Sequence, residues 1–295
     1  MTLSDLKRWA GQSRRLREAR GSAIQMRARM TAPGPGPRLF INSVPKAGTH
    51  LVMQALESMP GIRSSGVHLQ RQRIVLDDSD LADRNPNVDW DQVRRLLTTG
   101  AKPGQYVTAH TWAQPELLQI LDALGYAPIF VVRDPRDVVV SLTDYVNRLR
   151  RHPHHHRFTQ RLSTDKERYL AVINGFPAEG EDPGSVSLAE RLRGHEPWLT
   201  APAVLTCRFE TLIGPRGGGT EQGQRAELAN LAGHAGVAVS RSELDDLAGR
   251  VFSTGSATFS KGVIGQWRTR FDDEVRAKFD AAIGPRLLAV YGYEP

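Results

Sequence analysis

Arg38-Leu39-Phe40-Ile41-Asn42-Ser43-Val44-Pro45-Lys46-Ala47-Gly48-Thr49-His50 opens the patterned part of the chain. Its first seven residues are a short, mostly apolar run rich in strand formers and read as a buried strand. Pro45 to Gly48 is a turn, and Thr49 to Met59 carries apolar residues at helical spacing. The first N–H groups of such a helix lack an intrahelical acceptor and carry partial positive charge, which suits a phosphate or sulfate. Gly48 lets the main chain approach an anion closely, Lys46 adds a full charge and Thr49 a hydroxyl. The loop is not the Walker A pattern G-x-x-x-x-G-K-[ST]. The first glycine is missing, and Ala47 follows the lysine where a Ser or Thr would hold Mg²⁺.

Working outward, the same alternation recurs. Gln105 to His110 reads as a strand followed by a helix from Pro115. Tyr126 to Asp134 contains the clearest strand of the chain, and Pro135 to Arg151 continues as a helix, with proline in the first turn where it is tolerated. Residues 63–105 are polar and irregular apart from a helix at Trp90 to Gly100, and 152–185 reads as loop. A helix starts near Ser187, a strand covers 201–212, and 213–223 is a flexible loop. Helices follow around Arg225 to Gly236 and Ser242 to Phe252, and a last one from about Asp272 to Ile283. Strands alternating with helices predict an α/β fold, a single domain whose central parallel sheet is flanked by helices. Ligands of such sheets bind outside the carboxyl ends of the strands. Lys46, His110 and Arg133 all fall there.

The 295 residues are 40% hydrophobic and 24% charged with one cysteine, a composition that builds a core without disulfides or metals. Cys207, inside an apolar strand, reads as a packing residue. The net charge is +7, and residues 1–38 account for all of it: nine Lys/Arg face only Asp5 and Glu18. The body is therefore no polycation, and no specific nucleic-acid partner is expected. Residues 1–37 are set apart as a basic N-terminal extension, helical to about Met30 and broken by Thr31 to Pro37; residues 38–295 form the domain. The extension reads as a solvated segment dispensable for catalysis, or as one that touches an anionic surface, membrane or RNA. No apolar run approaches the ~20 residues of a membrane span, and the N-terminus lacks the apolar core of a secretory signal. The expected location is cytoplasmic.

Two further segments bear on the loop at Lys46. Phe130-Val131-Val132-Arg133-Asp134-Pro135-Arg136-Asp137-Val138-Val139-Val140-Ser141 is a strand, a charged turn and a helix start. An arginine fork and a serine hydroxyl are a sensible pair for a phosphate monoester. Phe259-Ser260-Lys261-Gly262-Val263-Ile264-Gly265-Gln266-Trp267-Arg268 offers a lysine and close-approach glycines. Together the three resemble the nucleotide-dependent sulfotransferase family, whose segments usually read PKSGTTW, RNxxDxxVS and RKGxxGDWK. The matches are Pro45, Lys46, Gly48 and Thr49, then Arg133, Asp137, Val140 and Ser141, then Lys261, Gly262, Gly265 and Trp267. The resemblance covers about residues 38–271. It implies a P-loop-NTPase-like sulfotransferase fold and a co-substrate, 3′-phosphoadenosine 5′-phosphosulfate (PAPS), whose sulfuryl group passes to an acceptor hydroxyl. The desulfated product would be 3′-phosphoadenosine 5′-phosphate (PAP). Lys46, Ala47, Gly48, Thr49 and His50 would hold the 5′-phosphosulfate; Arg133, Ser141, Lys261 and Gly262 the 3′-phosphate. Phe209, in Arg208-Phe209-Glu210-Thr211-Leu212, resembles a family segment near the adenine. No metal is implied.

Departures from the family pattern are specific. Leu51 stands where many members place a Trp that stacks on adenine, Ser260 replaces an arginine, and Gln266 and Arg268 replace Asp and Lys. The transfer needs a base, and a histidine suits that at neutral pH. His110 follows a strand and precedes a helix, where cytosolic members carry K-[TS]-H-[LF]-P with the base histidine; Thr108 and Trp112 replace the lysine and proline. His68 is the fallback. The run His152-Pro153-His154-His155-His156 reads as an exposed loop rather than a zinc site. The acceptor class expected is a small-molecule alcohol, phenol or sugar. Two other readings stay open: a P-loop kinase or NTPase, and a non-catalytic nucleotide-binding protein targeted by its arm.

Overall fold

The computed structural model describes residues 23–28, 30, 32–34, 36–69, 87–251 and 262–295. Five parallel strands form one sheet: β1 (Arg38–Ser43), β2 (Arg63–Leu69), β3 (Gln105–Ala109), β4 (Tyr126–Val132) and β5 (Leu205–Arg208), in the order β2-β3-β1-β4-β5. Helices α1 (Thr49–Glu57), α2 (Trp90–Gly100), α3 (Pro115–Ala123), α4 (Pro135–Arg148), α5 (Asp165–Asn174), α6 (Leu188–His195), α7 (Glu221–His234), α8 (Arg241–Val251) and α9 (Asp273–Val290) cover both faces. Alternate residues of each strand serve opposite cores, the period-two rule of an extended chain. Leu39, Ile41, Ile129 and Val131 pack with α1, α7 and α8, while Phe40, Phe130 and Val132 pack with the helices of the other face. The expected single α/β domain with a parallel sheet flanked by helices is what is observed. Cys207 is fully buried, as expected. Among the described residues no helix is long and apolar enough to cross a membrane.

Three expectations need correction. Residues 63–69, expected to be irregular, are the edge strand β2, whose pairing with β3 shifts register between Ser64 and His68. The bulge, with Gly66 at φ 73°, erases the alternation that marks a strand in sequence. Residues 152–185, expected as loop, contain α5. Its start is a capping box in which Thr164 and Glu167 satisfy each other's backbone N–H groups. Helix α9 runs on past Ile283 to Val290 through a kink at Gly284, φ 72°. Residues 23–28, within the stretch set apart as an extension, are helical. Ala28 is buried, its carbonyl accepts from Gln105 Nε2 at 2.9 Å, and Gln25 Nε2 donates to Gly66 O at 3.1 Å.

The strand order places the site. The chain leaves β1 between β3 on one side and β4 on the other, so their carboxyl ends open one crevice. Register sets Asn42 beside Ala109 and Ser43 beside Val131. The residues that follow these strands therefore converge.

Candidate active site

The crevice is a cavity of about 590 Å³. Its wall includes Lys46, Gly48, Thr49, His50, His68, Thr108, His110, Arg133, Ser141, Phe209 and Gly262. No Asp or Glu contributes to that wall among the described residues. Sequence segments 216 residues apart are thus brought to one anion-ready surface.

The loop after β1 is built tightly. Ala47 N donates to Val44 O at 3.0 Å, closing the turn, and the Ala47 side chain is buried in the core. Ala47 therefore shapes the loop and is not among the residues of the cavity wall. Lys46 adopts φ 73° and Gly48 φ 114°, the left-handed region that favours glycine. At Gly48 a Cβ would also lie 2.7 Å from Phe209 Cδ2, so that position is fixed as glycine twice over. The helix behind it has no side-chain cap. Its leading N–H groups thus face the cavity end unpaired by a cap. Lys46 Nζ sits 4.2 Å from the Tyr145 ring centroid. Burial, then Arg148 and Arg133, push its pKa down to about 8 against the pull of Asp144. An approaching anion reverses that shift.

Arg133 leaves β4 into the same space. Its guanidinium lies over the Phe209 ring at 4.2 Å, Nη1 donates to Lys46 O at 3.4 Å and Nη2 to Val263 O at 3.3 Å. Nε is buried with no hydrogen-bond partner among the described residues. Burial is the first influence on this group and lowers its pKa, with Asp137 opposing. An unsatisfied buried donor costs about 1–3 kcal/mol, a cost an anion at this spot would remove. Asp137 ties the third segment in. Its Oδ2 accepts from Gly265 N at 2.7 Å and its Oδ1 from Trp267 N at 3.0 Å. Asp137 holds the loop of Gly262 against the site rather than facing a ligand. Ser141, one turn beyond it, lines the cavity. Lys261 and Ser260 lie outside the described residues.

His110 is fixed from behind. Its Nδ1 lies 2.9 Å from Ser43 O, which can only accept, so Nδ1 carries the proton and Nε2 the lone pair. Ser43 Oγ, 3.2 Å from the same nitrogen, bonds Thr49 Oγ1 at 2.6 Å. The buried Asn42 amide clamps the following residue, donating to Thr111 O at 2.8 Å and accepting from Thr111 N at 3.0 Å. Burial first, then His68, His50 and Arg191, lower the His110 pKa to about 4 despite the Ser43 bond.

Sequence reading missed Asn42 and Ser43, which sit in an apolar strand and show their roles only against β3. It also missed Tyr145 and His152, both on the cavity wall. The histidine run is not the exposed loop expected. His152 faces the cavity, edge-on to Tyr145 at 5.7 Å, while His154 Nδ1 bonds Asp182 at 2.7 Å and His155 Nδ1 bonds Val146 O at 2.9 Å. Among the described residues no group of three or more His, Cys, Asp or Glu could hold a metal. Asp134, at the end of the strand where a Mg²⁺-binding Asp of a kinase-like site is sought, is bonded by Arg136 N and Nε at 2.9 Å.

No protein-family model and no curated protein matches the sequence. Solved structures do match. A mouse sulfotransferase complexed with PAP is 16% identical, with 86% of this chain and 85% of that chain covered and a TM-score of 0.57. Retinol dehydratase with androsterone and inactive cofactor PAP is 16% identical, covering 90% and 85%, TM-score 0.53. The same enzyme with retinol and PAP is 17% identical, covering 88% and 83%, TM-score 0.51. The chain has the fold of the PAPS-dependent sulfotransferases.

Proposed function

We propose that this chain is a sulfotransferase that moves the sulfuryl group of PAPS to the hydroxyl of a small-molecule alcohol, phenol or sugar, with His110 as base. The observation that carries the reading is the orientation of His110. Its Nδ1 proton is committed to Ser43 O, so the basic Nε2 belongs to a cavity that also holds Lys46, the start of α1 and Arg133. The orphaned Arg133 Nε and the uncapped helix start fit an anionic nucleotide. Bound, the donor supplies an activated sulfuryl group on a phosphate leaving group. The bridging S–O bond breaks as the bond from sulfur to the acceptor oxygen forms, and the leaving phosphate keeps the electron pair.

Each residue then has a task. His110 Nε2 takes the acceptor proton. Lys46 and the N–H groups of Gly48, Thr49 and His50 stabilise charge growing on the leaving phosphate. Arg133, Ser141 and the loop of Lys261 and Gly262 hold the 3′-phosphate, using binding remote from sulfur to position it. Phe209 lies by the adenine, and Leu51, Ile213 and Val251 on the same cavity wall supply the apolar surface a Trp gives elsewhere. The negative donor next to His110 raises the pKa of the ring toward the working range. We place the protein in the cytoplasm.

The experiment is a thermal melt followed by turnover. PAP should raise the melting temperature, because a ligand of the folded state stabilises it. ATP, lacking the 3′-phosphate, should do far less. His110→Ala should lower kcat by about two to four orders of magnitude with PAP affinity kept. Equal shifts from ATP and PAP refute the donor assignment, and normal turnover by His110→Ala refutes the base.

A further inference from the structure

The last register pairs of β4 and β5 set Val131 beside Cys207 and Val132 beside Arg208. Past that point each strand turns into a helix, and side chains take over from the ladder. Arg133 stacks on the Phe209 ring at 4.2 Å, and both line the cavity. The next two residues also pair: Asp134 N donates to Glu210 Oε1 at 2.8 Å. Phe209 is at once the neighbour of Arg133 and the side chain that a Cβ at Gly48 would strike. Its position therefore bears on two walls of the proposed nucleotide site.

Glu210 is held in turn from the far end of the chain. Its Oε2 accepts from the Tyr293 hydroxyl at 2.8 Å, so each carboxylate oxygen carries one tether. Burial pushes the Glu210 pKa up, and the bonds from Asp134 N and Tyr293 and the charge of Arg133 pull it back. A carboxylate taken out of water depends on such bonds. The aim of Tyr293 is built in. Helix α9 ends in a Schellman turn, with Tyr293 N donating to Leu288 O at 3.0 Å and Gly292 N to Ala289 O at 2.8 Å. Gly292 has φ 77°, and a Cβ there would collide with the Arg208 guanidinium. Arg208 Nη1 donates to Tyr291 O at 3.0 Å, and its guanidinium lies over the Tyr293 ring at 5.4 Å. The end of β5 and the C-terminal turn are one packed unit.

We propose that Tyr293 and Glu210 are positioning residues of the nucleotide site: the Tyr293 hydroxyl fixes the Glu210 carboxylate, Glu210 fixes the turn after β4, and the Arg133–Phe209 pair is held ready for the donor. This rests on the sulfotransferase reading above. A pair already ordered in the free protein leaves less ordering to oppose binding.

Three variants of the full chain test it, with PAP affinity read by calorimetry below every melting transition and stability by thermal melts. Tyr293→Phe keeps the ring and deletes the bond. It should weaken PAP about three- to thirtyfold, part of what one hydrogen bond to a charged group carries. Glu210→Gln can still accept from Asp134 N and can donate to Tyr293, so it should bind PAP as wild type does. Tyr291→Phe loses the bond from the same turn to Leu192 O and serves as the control, with a lower melting temperature and unchanged PAP affinity. A role for Tyr293 in stability alone makes Tyr293→Phe behave like Tyr291→Phe. That result overturns the proposal, as does equal weakening of PAP in both tyrosine variants, or a loss in Glu210→Gln as large as in Tyr293→Phe. Wild-type protein that fails to bind PAP removes the sulfotransferase reading, and this inference with it.

Discussion

Replacing His110 with Gln should flatten the acid side of the stability profile, and the size of the effect follows from its environment. Burial and two neighbouring imidazoles hold the ring pKa at about 4 in the folded protein, against ~6.5 in an unfolded chain. The folded state therefore binds fewer protons than the unfolded state as pH falls through 6.5. Stability is fully present above that pH and is lost on the way down toward 4. At pH 5 the unfolded ring is almost fully protonated and the folded ring about one-tenth, which costs about 2 kcal/mol relative to pH 8. At ~2 °C per kcal/mol for a chain of this size, that is about 4 °C of melting temperature. Other histidines with lowered pKa values, His152 and His154 among them, add their own losses. The informative quantity is the difference between wild type and His110→Gln, measured by scanning fluorimetry from pH 8 to pH 5. Wild type should lose about 4 °C more than the variant. PAP, by placing negative charge beside the ring, should shrink that difference. Parallel curves for the two proteins refute the tautomer and burial argument on which the base assignment stands.

Gly48→Ala should lose PAP binding and about 1–3 kcal/mol of stability, because a non-glycine residue is strained at φ 114° and its Cβ meets Phe209; calorimetry and urea melts report both. Lys46→Ala should lower kcat by about two to three orders of magnitude and Arg133→Ala should mainly raise the donor KM, read from steady-state kinetics over a donor series. PAP affinity should fall as pH rises through about 8, where Lys46 loses its proton in the free protein, with proton uptake on binding seen in buffers of different ionisation enthalpy. Deleting residues 1–22 should keep kcat and remove any salt-sensitive adhesion to anionic vesicles. Deleting 1–37 should also lower the melting temperature, because Ala28 and Gln25 are packed on the sheet edge.

What the sequence determined by itself was local and repetitive. The strands at Leu39 and Ile129 are continuous apolar runs, and the turns after them carry Pro, Gly and charge, so element type and the parallel sheet could be read directly. The three segments around Lys46, Arg133 and Gly262 could be picked out because their residue types suit one chemistry, that of an anion, and the structure brings Lys46, Arg133 and Gly262 to one cavity wall. Two elements escaped. Strand β2 hides its period behind a bulge, and α5 was legible only through the Thr164 to Glu167 capping box. What only the tertiary structure decided is which atoms of those residues are available. Ala47 spends its N–H on Val44, and Asp137 spends both carboxylate oxygens on the Gly265 loop. Ser43, an ordinary strand residue in sequence, fixes the tautomer of His110, and Thr108 is bonded to His68 Nδ1. Hydrogen-bond partners of this kind come from neighbouring strands 40 to 67 residues apart in sequence. The proton positions that make chemistry are fixed by sheet register, which no local pattern encodes.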